Sequence, residues 1–156
     1  MTFGGSNISE KLFNFVVDKL PSGSTILEFG SGQGSTGQLS QHYKMYSIEH
    51  DQNYLNKYNS NYIHAPIVNG WYDVSKIKNG LPEKYDMILI DGPVGEGNRI
   101  PILNYLKLFD MENKWIIIDD THRVGEIILF HKLMKLFNVL DVYVGEDFSS
   151  FLGVYK

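Results

Sequence analysis

Carboxylates stand wherever an apolar run gives way to chain that can turn. Glu28 lies in Leu27-Glu28-Phe29-Gly30-Ser31-Gly32-Gln33-Gly34-Ser35-Thr36-Gly37. Glu49 precedes His50-Asp51, Asp91 follows Ile88-Leu89-Ile90, and Asp119-Asp120 follow Ile116-Ile117-Ile118. Glycines at alternate positions let the backbone approach a ligand closely, and a helix opening behind them is the context a cofactor loop needs. Acids crowded together repel unless a proton or a cation is shared, so an oxygen-ligated divalent ion on Asp91, Asp119 and Asp120 is one arrangement. Helix capping and cofactor hydrogen bonding without metal is the other. His122, two residues beyond Asp120, can exchange a proton near neutral pH, and its competing role is polarity at a helix start.

Elements that would position these groups follow from periodicity. Ile8, Leu12, Phe15, Val16 and Leu20 recur at helical spacing, with Asn7 and Glu10 placed as a capping pair and Pro21-Ser22-Gly23 as the stop. Strands are expected over 25–29, 45–48, 62–68, 85–90 and 115–118, with helices over 36–43, 54–58, 100–109 and 126–137 between or after them. A closing strand pair is expected over 139–144 and 151–155. The expected architecture is therefore α/β: a Rossmann-like sheet of about seven strands, mostly parallel, with helices on both faces and ligands beyond the carboxyl ends of the strands. Residues 145–150 are too few for a parallel crossover, so the last strand should run antiparallel. The chain reads as a single domain over 1–156, with a helical segment over 1–23 and the core over 24–156.

Composition limits the partners. The 156 residues carry 14 basic and 18 acidic side chains, a net charge of −4, with no basic run, so a surface built to neutralise nucleic-acid phosphates is not expected. The absence of cysteine excludes thiolate metal sites, disulfides and a thiol nucleophile. Glu10, Lys11, Asp18 and Lys19 interrupt the N-terminal apolar pattern, so neither a leader nor a membrane segment is expected and a cytoplasmic location follows.

The glycine loop fits two registers. Gly32-Gln33-Gly34-Ser35-Thr36-Gly37 matches the G-x-G-x-x-G dinucleotide pattern, whereas Glu28-x-Gly30-x-Gly32-x-Gly34 is an acid followed by alternating glycines. Charge discriminates between them, because a carboxylate facing the loop repels a pyrophosphate but suits the sulfonium and ammonium of S-adenosylmethionine. Glu49, 19 residues after Gly30, is placed for the ribose hydroxyls of either cofactor.

Through Ile26 to Thr36, Ser47-Ile48-Glu49-His50-Asp51 and Tyr85-Asp86-Met87-Ile88-Leu89-Ile90-Asp91-Gly92-Pro93, the sequence resembles the class I S-adenosylmethionine-dependent methyltransferases over nearly its whole length. The resemblance implies a seven-stranded sheet with an antiparallel last strand. It also implies a cofactor site of Glu28, Phe29, Gly30, Ser31, Gly32, Gly34, Ser35, Thr36, Glu49, His50, Asp51 and Asp91, with Glu49 on ribose and His50 and Asp51 near adenine.

Asp91, Asp119 and Asp120 are similar in position to the magnesium ligands of catechol-type O-methyltransferases, although Gly92-Pro93-Val94-Gly95 lacks the lysine of that group. Asp91-Gly92-Pro93 and Asp119-Asp120-Thr121-His122-Arg123 also resemble glucuronoxylan-type sugar O-methyltransferases. Only two arginines accompany twelve lysines, and Arg99 and Arg123 each follow an acidic strand end. Each could clamp a substrate anion or pair with these acids.

The expected activity is methyl transfer to a hydroxyl of a small molecule or sugar, with Asp91, His122 and Arg123 as catalytic candidates and a divalent metal as possible assistant. Alternatives are an NAD-dependent oxidoreductase and a noncatalytic cofactor-binding module. A nucleic-acid amino-methyltransferase is disfavoured because no Pro-Pro-aromatic element follows Asp91. Gly4-Gly5-Ser6 and 92–98 are candidate closing segments, Trp71-Tyr72-Asp73 a stacking platform or a small core, and a second copy of the chain could complete the pocket.

Overall fold

The computed structural model describes residues 8–144 and 151–155. Five parallel strands run in the order β3 (Asn61–His64), β2 (Lys44–Glu49), β1 (Thr25–Phe29), β6 (Met87–Ile90), β7 (Trp115–Asp119), and the antiparallel pair β9 (Phe151–Tyr155) and β8 (Asp141–Val144) follows β7 at that edge. Two short strands, β4 (Ile67–Val68) and β5 (Trp71–Tyr72), pair outside this sheet. The strand expected over 62–68 therefore divides: it leaves the sheet after His64, where Ala65-Pro66 intervenes, and a proline cannot donate to a ladder.

Side-chain alternation assigns the two faces. Ile26, Met45, Met87, Leu89 and Ile117 point to one face, which is covered by α1 (Glu10–Lys19) and Leu39 of α2 (Thr36–Leu39). Leu27, Phe29, Ile48, Ile88, Ile90, Ile116 and Ile118 point to the other. That face carries α3 (Val74–Lys78), a 3₁₀ stretch over Ile100–Tyr105 and α4 (Val124–Leu136). Period-2 alternation across fully apolar strands requires cover on both sides, and the helices provide it.

Several expected helices are shorter than their apolar spacing suggests. Helix α1 is capped by Ser9, whose hydroxyl accepts from Leu12 N at 3.1 Å, while the proposed cap Asn7 lies outside the described residues. The expected helix over 36–43 ends at Leu39, 100–109 is a 3₁₀ turn, and 54–58 is replaced by a 3₁₀ turn at Gln52–Tyr54 capped by Asp51. No helix among the described residues is long and apolar enough to cross a membrane.

Candidate active site

The carboxyl ends of β1, β2, β6 and β7 open into one cleft of about 650 Å³. Gly30, Ser31, Gly32, Glu49, His50, Asp51, Asp91, Asp119, Asp120 and Arg123 all line it, so the groups singled out at four separate strand ends converge. Glu28, Phe29, Gly34, Ser35, Thr36 and His122 do not line it.

Alternation along β1 explains two of these positions. Glu28 shares the face of Ile26, so its side chain runs beneath α2, and Phe29 points to the opposite core against Trp71, Tyr72 and Phe109. Glu28 is fully enclosed. Its Oε2 accepts from Thr36 Oγ1 and Ser47 Oγ, each at 2.7 Å, and Oε1 has no partner among the described residues. Burial pushes this carboxyl up to about 7, against the pull of the donating hydroxyls. Thr36 Oγ1 in turn accepts the amide of Gly32 at 3.1 Å.

Glu49 is equally committed. Its Oε2 accepts the amide and hydroxyl of Ser31 at 2.9 and 2.8 Å, and its Oε1 accepts the amides of His50 and Asp51 at 2.7 and 2.8 Å. The amide of Gly30 reaches back to Ile48 O at 2.9 Å. Three consecutive loop amides, at residues 30, 31 and 32, are therefore consumed by the protein itself. A diphosphate at this turn would find those three amides already engaged.

Two glycines permit the loops to meet. Gly30 has φ +85°, and a Cβ there would stand 3.2 Å from Gly92 Cα. A Cβ on Gly92 would stand 2.4 Å from Tyr72 Oη and 2.9 Å from Gly30. The loop after β1 thus rests directly on the loop after β6.

The strand-end acids gather around a cation, and that cation is Arg99. Its guanidinium, 1% exposed, donates through Nη1 to Asp119 O at 2.7 Å and Ile90 O at 3.3 Å. Through Nη2 it donates to Asp91 O at 2.8 Å and Asp120 Oδ2 at 2.7 Å. Asp91 Oδ1 lies 3.6 Å from Nη2 and buried Glu126 3.8 Å from Nε. Asp120, with φ +58°, also pairs with Arg123 at 3.1 Å.

Asp91, Asp119 and Asp120, expected as ligands of a divalent metal, are the residues that surround this guanidinium. No group of three or more such ligands converges on a metal position among the described residues, and guanidinium nitrogens hold the place between the carboxyls. Burial, then the charge of Asp119, raises Asp91 well above the usual carboxylate range, against the pull of Arg99. Burial lifts Asp119 to about 6. His122 is exposed and stands near enough to Asp119 to draw its carboxyl down slightly.

Sequence reasoning missed one wall of the cleft. Tyr54, Lys57 and Tyr58 follow β2 and line it, with Lys57 Nζ 4.5 Å from the Tyr54 ring. Only the aromatic density of 54–62 signals this wall. Trp71 and Tyr72, expected as either platform or core, are buried, and Tyr72 lines the cleft.

No family model and no curated protein matches the sequence. The fold is similar to those of solved methyltransferases. MycE from the mycinamycin biosynthetic pathway, solved with Mg, SAH and mycinamycin VI, shares 12% identity over 95% of this chain and 49% of its own, with TM-score 0.63. The METTL16 methyltransferase domain shares 12% over 100% and 70%, with TM-score 0.66. A putative ribosomal RNA methyltransferase from Plasmodium falciparum shares 18% over 94% of each chain, with TM-score 0.59. This chain spans about half the length of MycE. At these identities the likeness is one of fold: the chain has the class I S-adenosylmethionine-dependent methyltransferase fold. That fold gives no support to excluding nucleic acid as a partner.

Proposed function

We propose that the chain is an S-adenosylmethionine-dependent methyltransferase acting on a hydroxyl of a small molecule or sugar. The observation that carries this reading is the inward commitment of the loop amides at residues 30, 31 and 32, above Glu28 and beside Glu49. A loop so arranged sets the Glu49 carboxylate beside amides that are already engaged, and this disfavours the NAD-dependent alternative. The cofactor, when bound, supplies an electrophilic methyl on a sulfonium.

The chain's own residues then have distinct tasks. Gly30, Ser31 and Gly32 shape the floor, Glu49 serves the ribose, and His50 and Asp51 stand at the adenine side, with Glu28, Phe29, Gly34, Ser35 and Thr36 supporting the loop from beneath. Asp91, at the cleft and within reach of an acceptor, takes the proton of the hydroxyl as it attacks. Arg123 orients the acceptor from the neighbouring strand end through its hold on Asp120. Alignment of hydroxyl and methyl within the cleft supplies the remainder of the acceleration. His122, outside the cleft lining, tunes Asp119 rather than touching the acceptor. The composition, acidic and without a basic run, favours a neutral hydroxyl acceptor over nucleic acid.

The test is conversion of S-adenosylmethionine to S-adenosylhomocysteine (SAH) with a panel of free sugars and small alcohols, set beside nucleotides and RNA. Turnover on a hydroxyl compound that drops by about 10²–10⁴-fold in Asp91→Asn, with SAH affinity retained, supports the reading. Methylation of RNA alone, or full activity of Asp91→Asn, overturns it.

A further inference from the structure

The ends of β6 and β7 are tied by one buried side chain whose every nitrogen faces an oxygen. Nη1 serves the carbonyls of Ile90 and Asp119, Nη2 serves the carbonyl of Asp91 and the carboxylate of Asp120, and Nε faces Glu126. A guanidinium does this because its N–H groups diverge in a fixed plane, whereas an ammonium radiates its donors from a single atom. A small divalent ion needs several oxygens converging on one point at about 2.0–2.6 Å. Here the carboxylate oxygens of Asp91 and Asp120 converge instead on Nη2, at 3.6 and 2.7 Å.

We propose that Arg99 is the resident cation of this cleft, a positioning residue that stands where a divalent ion would otherwise be held by Asp91, Asp119 and Asp120 and that makes the site metal-independent. The proposal deepens the methyltransferase reading and rests on it for the purpose of the cleft, while the charge arrangement is tested separately. Two consequences follow from the geometry. Metal should neither bind the acids nor alter cofactor affinity. Lysine should fail to replace Arg99, because one ammonium cannot span carbonyls on two strands and the Asp120 carboxylate together.

The experiment titrates Mn²⁺, with Mg²⁺ as competitor, into wild-type protein, Arg99→Lys and the double variant Arg99→Met/Glu126→Gln, following the ion by its paramagnetic signal. SAH calorimetry and thermal melting run in parallel. The double variant removes both partners of the buried pair, so Glu126 is not left charged and enclosed. Wild-type protein is expected to show no stoichiometric Mn²⁺ site at millimolar ion, and its SAH affinity is expected to ignore both Mn²⁺ and chelator.

The folded double variant is expected to gain one Mn²⁺ site at least ~10-fold tighter than any on wild type, since the strand-end acids lose their counter-charge. Arg99→Lys is expected to weaken SAH binding by about tenfold through the loosened strand ends without gaining metal. A stoichiometric Mn²⁺ site on wild type, displaced by Mg²⁺, overturns the proposal, as does a folded double variant that gains none or a lysine variant with wild-type SAH affinity. If the double variant does not melt cooperatively, the wild-type titration and the lysine variant decide. Failure of SAH to bind wild type overturns the methyltransferase reading instead, and the Mn²⁺ results still judge the place of Arg99.

Discussion

Ser31 gives both its amide and its hydroxyl to a single oxygen of Glu49, at 2.9 and 2.8 Å. The carboxylate proposed for the ribose is thus already engaged, and the Ser31 hydroxyl is the donor that a ribose hydroxyl can replace while the backbone contact persists. Ser31→Ala should leave the loop in place and tighten SAH binding by about threefold, the worth of one hydrogen bond no longer exchanged. Calorimetry measures this directly. Weaker binding of the alanine variant would show that the hydroxyl itself serves the ligand.

Gly92 should tolerate no side chain. A Cβ there would meet the Tyr72 hydroxyl at 2.4 Å and Gly30 Cα at 2.9 Å, and the second neighbour is backbone that cannot rotate away. Gly92→Ala is expected to cost about 1–3 kcal/mol, the range of overpacked sites, read as a lower urea midpoint with little change in slope. SAH binding should weaken with it, since the displaced partner is the cofactor loop.

Stability should fall as pH rises through the range in which Glu28 ionises. Its folded value, about 7, lies above its ordinary 4.5, so the native state holds a proton that the unfolded chain has released. The stability is fully present below about pH 4.5 and is lost as pH climbs to about 7, with Asp119, at about 6, contributing in the same direction. Glu28→Gln places a neutral amide in the enclosed position, its oxygen toward Thr36 and Ser47. The variant should melt higher than wild type at pH 8, by an amount corresponding to roughly 3 kcal/mol at most, and the advantage should disappear near pH 5. A pH-independent difference between the two proteins would contradict the assignment of burial as the cause.

Much of this arrangement is legible in the residues themselves. The apolar runs ending in Phe29, Ile90 and Ile118 define central strands, and the acids that follow them do meet in one cleft because parallel strands deliver all their carboxyl ends to one side. Where side chains point is legible only once the face of each strand is known: Glu28 sits one residue out of phase with Leu27 and Phe29, and alternation sends it beneath α2. Arg99 is the harder case. Seven residues of glycine-rich chain separate it from Asp91, and no periodicity reports that the loop folds back to bury its guanidinium between two strands. The signal present was its type, one of two arginines among fourteen basic residues, since a fixed fork is what a buried cluster of oxygens selects over lysine. Pro66 marks the division of the strand expected over 62–68, although the apolar residues around it continue the strand pattern.

On the proposed function, this loop, with its amides at residues 30, 31 and 32 already engaged, receives a cationic, phosphate-free cofactor. Calorimetry of the wild-type protein with S-adenosylmethionine, SAH and NAD⁺ under identical buffer tests it most directly. One-to-one binding of both S-adenosyl ligands, with no measurable heat from NAD⁺ at the same concentrations, is the expected result. Stoichiometric binding of NAD⁺, tighter than that of SAH and competitive with it, would overturn the methyltransferase reading.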